Sequence, residues 1–328
     1  MAYIFPTCGE QQRLNVYGAT ELKYAKLNQI WRSVKATVSG TRTYSLNMSQ
    51  HKYKIAILLA TRGRTAALIR SIESLIALAD NISQVQIMFA FDRDDDIGRK
   101  FFAEELQPLL IKHSVAYTAM LFDPLGYIRL NVYNNKMAAR TDAEWLVIWN
   151  DDAIMETQGW DTEILKYNGD FKLLAFHTHN DHPYSIFPII PRKWYELLGY
   201  ISPHPSQDAW LSQQAYLLDA WQRIPVHVLH DRHDLTGNNY DTTFTERAML
   251  EGKPDDPMDF HSEGQMLLRH TDAAKLATYL RDELGKDISY FERIFAGEQD
   301  PWEKLIANDV NGHMVQFANP HEYFDPSK

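Results

Sequence analysis

Two acidic clusters stand directly behind apolar runs, and that is where this chain can do chemistry. Asn150-Asp151-Asp152 follows Trp145–Trp149 (WLVIW), and Asp92 follows Val85–Phe91 (VQIMFAF). A carboxylate pair just past a strand can hold a divalent cation and leave positions open for the oxygens of an anionic ligand. Asp152, helped by Asp151, is therefore the expected holder of Mn2+ or Mg2+. Asp92 is placed to accept hydrogen bonds from a base or ribose, whereas Asp94, Asp95 and Asp96 read as a solvated acidic loop. Arginine suits phosphate oxygens because its planar fork can grip two at once. Thr61, Arg62 and Arg64 lie at another strand end, and Lys136 and Arg140 stand ahead of WLVIW. Asp and Asn are also ordinary turn and cap residues, so the residue types alone do not separate binding from capping.

The elements that must position these residues follow from periodicity. Lys54–Ala60 (KIAILLA) reads as a strand buried on both faces. Thr61-Arg62-Gly63-Arg64 breaks it, and Leu68, Ile69, Ile72, Leu75, Ile76 and Leu78 then recur at helical spacing. Val115–Phe122 and Leu173–Phe176 read as further strands. Phe101–Lys112, Arg129–Arg140, Arg192–Leu198 and Gln207–Leu218 read as helices. Val226–Leu229 reads as a short strand, Ala273–Leu284 as a helix, and Leu22–Val38 as a segment that can hold one. Alternating strands and helices imply crossover connections and a mainly parallel sheet. In such sheets ligands sit beyond the carboxyl ends of the strands, which is where both acidic clusters fall.

Composition bounds the function. The 328 residues are 45% hydrophobic and 23% charged, with a formal net charge of −10, which is ordinary globular usage. The acidic balance argues against a general nucleic-acid binder. With Cys8 alone, neither an internal disulfide nor a cysteine zinc cluster can form. No leader pattern stands in Met1–Arg13, and no stretch reaches the roughly 20 apolar residues that span a bilayer. A cytoplasmic location without a membrane partner is the expectation.

The order of these parts is more specific than any one of them. ILLATRGR, SIESL, MFAFD, LNVYNNKMAAR and WLVIWNDD together resemble the nucleotide-binding half of the family-two glycosyltransferases. FPIIPRKWYELL, then Gly199-Tyr200, then Ser206-Gln207-Asp208-Ala209-Trp210-Leu211, resembles their acceptor-side segment. The resemblance covers about residues 54–235. It implies a GT-A fold, a mainly parallel twisted sheet flanked by helices, and a nucleotide-diphosphate sugar donor, a UDP-sugar being favoured. It further implies Asp208 as the base that deprotonates the acceptor. Gln207 stands where the family usually has Glu. His230, with His233 behind it, falls where many such enzymes place a histidine near the metal. His177 and His179 would lie beside the site on the acceptor side, where Trp210 and other aromatics stand among basic residues. Those aromatics read more readily as core. The implied acceptor is a hydroxyl, on a saccharide or on a hydroxymethylated base of phage DNA.

One competing motif runs through the middle of the chain. His177-Thr178-His179-Asn180-Asp181-His182 fits the H-x-H-x-D-H pattern of two-zinc metallohydrolases. It comes late, after more than a hundred residues of alternating strand and helix, and it is followed by Pro183-Tyr184 rather than glycines. A catalytically dead sugar- or nucleotide-binding module is a third reading. By organisation, residues 1–52 read as an N-terminal extension and 53–245 as the catalytic domain, with its nucleotide half ending near 152. Residues 246–328 read as a C-terminal extension.

Overall fold

The computed structural model describes residues 52–179, 184–232, 236–237, 259–260 and 262–297. The expected helix at Leu22–Val38, and Asp181, His182 and His233, lie outside these residues.

Eight strands form one sheet: β1 (Ile55–Ala60), β2 (Val85–Asp92), β3 (Ala116–Phe122), β4 (Trp145–Trp149), β5 (Ala153–Met155), β6 (Leu173–Thr178), β7 (Ile189–Pro191) and β8 (Trp221–His230). Their order across the sheet is β3-β2-β1-β4-β7-β6-β8-β5. β1 pairs in parallel with β2 and β4, β2 with β3, and β6 with β8. Only the three-residue strands β7 and β5 run against the rest. The sheet is thus mainly parallel, as the alternating pattern requires. Its central strands β1, β2 and β4 are apolar at every position except Gln86 and the terminal Asp92, because both faces are covered.

The nine helices among the described residues are α1 (Thr65–Leu78), α2 (Asp96–Phe101), α3 (Gln107–Lys112), α4 (Leu130–Ala138), α5 (Trp160–Leu165), α6 (Arg192–Leu198), α7 (Gln207–Leu217), α8 (Glu263–Asp282) and α9 (Ser289–Phe295). A π-turn at Phe102–Leu106 joins α2 to α3. Leu68, Ile72 and Leu75 of α1, Leu110 of α3 and Ile164 of α5 pack on the face formed by Ile55, Ile57 and Leu59 of β1. α4 and α6 to α9 cover the opposite face, presented by Ala56 and Leu58. The described part of the expected C-terminal extension, α8 and α9, shares this second core with Trp194 and Trp210.

Candidate functional site

Four strands that run the same way end at one edge of the sheet, and each delivers a polar residue there. Thr61 follows β1, Asp92 ends β2, Asp151 and Asp152 follow β4, and His230 ends β8. Positions up to 169 residues apart in sequence therefore share one strand-end region, the place where ligands sit in open α/β sheets.

The acidic turn after β4 is held from several sides. Ala153 N donates to Asn150 O at 3.2 Å, which reverses the chain so that β5 can pair with β8. The register sets Ala153 opposite His230, and Asp231 N donates to Asp152 O at 2.8 Å. Helix α1 staples the corner from outside. Trp149 Nε1 donates to Ser71 Oγ at 2.9 Å, and Met155 N donates to Ser74 Oγ at 2.9 Å. Thr61 Oγ1 donates to Asp151 Oδ2 at 2.6 Å.

Arg64 ties the two carboxylates together. Its Nε donates to Asp151 Oδ2 at 3.2 Å and its Nη1 to Asp152 Oδ2 at 3.2 Å, while Nη2 pairs with Asp151 Oδ1. Asp151 and Asp152 are buried. On the far side, His230 Nε2 lies 3.5 Å from Asp152 Oδ1, at the outer limit of hydrogen bonding. Both atoms are buried and neither makes a hydrogen bond with a described residue. Burial alone would push the Asp152 carboxyl up. The adjacent His230 and the Arg64 guanidinium outweigh it and hold the carboxyl below its ordinary value. Among the described residues no three His, Cys, Asp or Glu side chains form a metal cluster. Asp152 Oδ1 and His230 Nε2 are two converging donors. A spacing of 3.5 Å is one that two donors bound about 2.1 Å from a shared ion can adopt. Such a two-donor set leaves most positions open for phosphate oxygens and water, so the residues fit the expected Mn2+ or Mg2+.

A lowered carboxyl value has a sign for stability. Asp152 stabilises the fold above its ordinary value of 3.8, and that contribution is lost as pH falls through the lower folded value. Asp152→Asn should therefore flatten the acid limb of a plot of melting temperature against pH below 3.8. Acid limbs of equal slope in the two proteins would contradict this.

Asp92 is buried and doubly held. Tyr133 Oη donates to its Oδ1 at 2.5 Å, and Arg62 Nη1 donates to its Oδ2 at 2.8 Å. Burial, and then the bond to Asp92, push the Tyr133 phenol up, so it stays a donor at neutral pH. Arg62 also pairs with Asp94 at the surface. Gly63 has φ of +70°, a conformation glycine adopts without strain, and its N–H donates to Asp95 Oδ2 at 3.0 Å. Asp95 also caps α2 by accepting from Gly98 N. Asp94 and Asp95 are thus structural partners of the Thr61–Arg64 turn rather than a loose acidic loop.

Asp208 is the second residue of α7 and is half-buried. Three residues, 218–220, join α7 to β8, so the helix runs back along the strand and its first turn lies toward the edge where β8 ends. The approach to α7 is fixed by α4. Asn135 Nδ2 donates to Ser202 O at 2.8 Å, and Asn134 Nδ2 donates to Gln207 Oε1 at 3.2 Å. Tyr133, one residue earlier, holds Asp92. A single helix therefore registers the start of α7 against the nucleotide side. Tyr133 carries no motif signal of its own. Only its spacing in LNVYNNKMAAR, beside two asparagines on one helical turn, points to it.

The remaining expected residues are distributed as follows. Lys136, on α4, and Arg140, just past its end, are both exposed. The His177 ring stacks on His227 at 4.9 Å, and His179 Nε2 lies 3.0 Å from Glu156 Oε2. His177 thus faces its neighbour on β8 and His179 a residue just past β5, and the rest of the two-zinc pattern lies outside the described residues. Trp210 has no exposed surface. It stacks on His204, with Phe260 at its edge and the Arg269 guanidinium over its ring. A ring so enclosed cannot stack on an incoming ligand, which corrects the acceptor-side expectation for Trp210. Trp194 and Trp221 are likewise buried.

No protein-family model and no curated protein matches the sequence. Among solved structures the chain is similar to a mannosyltransferase from Pyrobaculum calidifontis in complex with GDP-Man and Mn2+. Identity is 13%, coverage 90% of this chain and 94% of that one, and the TM-score 0.48. It is also similar to S. aureus TarS in complex with UDP-GlcNAc, at 9% identity over 70% of this chain and 76% of that one, with a TM-score of 0.44. At this distance the likenesses assign neither donor nor acceptor to this chain. No helix among the described residues is long and apolar enough to cross a membrane.

Proposed function

We propose that the chain is a metal-dependent glycosyltransferase that moves a sugar from a nucleotide-diphosphate donor, a UDP-sugar being favoured, to a hydroxyl acceptor. The observation that carries this reading is the meeting of Asp92, Thr61, Arg64, Asp151, Asp152 and His230 at one strand-end edge, beside the start of α7. Asp92 accepts from the base or ribose while Tyr133 and Arg62 fix its orientation. Asp152 and His230 hold Mn2+ or Mg2+, which supplies positive charge to the departing diphosphate. Asp151 anchors Thr61 and Arg64 on the donor side. Asp208 takes the proton from the acceptor oxygen as that oxygen bonds the anomeric carbon and the bond to the diphosphate breaks. A saccharide or a hydroxymethylated DNA base can supply the hydroxyl.

The test is metal-dependent donor binding. A ligand bound only by the native state must raise apparent stability, so a screen of nucleotide sugars with Mn2+ should give a thermal shift for at least one donor. Asp152→Asn should keep the fold and abolish the Mn2+-dependent part of UDP binding in isothermal titration. Unchanged UDP affinity in that variant would remove Asp152 from the metal site. Zinc held at His177 and His179 instead would favour the hydrolase.

A further inference from the structure

Two adjacent carboxylates buried at a strand end repel one another and need a positive charge nearby. In this chain the charge is already supplied from within. The Arg64 fork spans both carboxylates, with hydrogen bonds of 3.2 Å to Asp151 Oδ2 and 3.2 Å to Asp152 Oδ2. Its side chain is 23% exposed, so it keeps solvent-accessible surface at the turn that follows β1. Asp152 is consequently divided. Its Oδ2 belongs to Arg64, while its buried Oδ1 converges with His230 Nε2.

We infer that Arg64 is a resident counter-cation that competes with a divalent ion for the Asp151–Asp152 pair and makes metal binding conditional on the donor's diphosphate. This rests on the donor-site reading given above. Two cations on one pair of carboxylates repel each other, so with Arg64 in place the site binds a metal ion weakly. A diphosphate brings anionic oxygens to the exposed side of the guanidinium, for which the arginine fork is well shaped. Arg64 then shifts its charge from Asp152 to the diphosphate, and the carboxylate becomes available. The coupling is reciprocal, since an effect of diphosphate on metal affinity must equal the effect of metal on diphosphate affinity. Thr61 keeps Asp151 in place through the exchange, because its hydroxyl bond of 2.6 Å does not depend on Arg64.

The test is Mn2+ titration with and without UDP, followed by calorimetry, on the full chain. The wild type should bind Mn2+ at least about tenfold more tightly with UDP than without it. Arg64→Met should bind Mn2+ alone about tenfold more tightly than the wild type, and the enhancement by UDP should shrink to what direct contact between the ion and the diphosphate supplies. Removing Arg64 leaves buried like charges, so that variant can fail to fold. The pair Asp151→Asn and Asp151→Asn with Arg64→Met leaves one buried carboxylate instead of two and asks the same question. The double variant should bind Mn2+ alone more tightly than the single one. Equal or weaker Mn2+ binding on loss of Arg64, in either comparison, overturns the inference while leaving the donor site standing. Mn2+ binding by none of the proteins, with or without UDP, overturns the inference and the metal site together.

Discussion

Asp208→Asn should lower kcat by at least about a hundredfold, the lower end for loss of a general base. Asparagine is nearly isosteric and can still accept a hydrogen bond at the start of α7, but it cannot hold the acceptor's proton. The loss should fall on kcat, because the proton moves in the transition state and ground-state contacts survive. Donor affinity should be unchanged, since Asp208 lies on α7 and the donor residues lie at the ends of β1, β2 and β4 or in the turns that follow them. A purely structural role predicts something different. Asp208 is an acidic residue in the first turn of its helix, where a negative charge stabilises by about 0.3–1 kcal/mol. Loss of that charge alone would lower the melting temperature slightly and leave kcat near normal. Steady-state kinetics with a thermal melt on the same variant separates the two, and a near-normal kcat would reduce Asp208 to a helix-start residue.

Trp210→Ala should destabilise the fold by about 3–5 kcal/mol, the usual range for deleting a fully buried Trp or Phe. Native domains have only about 5–15 kcal/mol in total, so the effect is a large share of the whole. The indole fills the space between α7 and α8, against His204, Phe260 and Arg269. Its removal leaves a cavity and takes away one of the two rings that face the Arg269 guanidinium, Phe260 being the other. Denaturant unfolding should show a lower midpoint with an unchanged slope. Full stability together with weakened acceptor binding would instead return Trp210 to a ligand-facing role.

The central strands and the acidic edge were legible in the sequence because each strand there is a short apolar run closed by polar residues. WLVIW matches β4 residue for residue, and KIAILLA and VQIMFAF differ from β1 and β2 by one residue at an end. The short strands β5 and β7 were not legible, since three residues carry no periodicity. β8 extends from Trp221 to His230, well beyond the expected Val226–Leu229. Arg223 and Pro225 interrupt its apolar pattern, and it is a strand because β6 and β5 pair with it. α8 begins at Glu263, ten residues before the expected start, because its first turns bury Arg269 and His270, side chains that seldom mark a core. The carboxylates of the site were visible as types, but their partners were not. Nothing local says that Arg64 grips residues 87 and 88 positions away, or that Tyr133 reaches Asp92. The burial of Trp210 depends on α8, more than fifty residues further on, so its sequence surroundings leave a core ring and a stacking platform indistinguishable.

The parallel pairing of β1 with β4 has a consequence for how the chain is made. Ile55 meets Trp145 across that ladder, and Thr61 meets Asp151 90 residues later in the chain. Synthesis runs at roughly 5–20 residues per second, so IAILLA waits on the order of 5–20 s at the ribosome before its second neighbour exists. During that interval β2 can cover one side of β1, but the other stays an apolar edge with unpaired backbone groups, the kind of template that recruits other chains. Nascent-chain handling, by chaperones or by slow passage through the first 144 residues, is therefore part of what sets the yield of active protein.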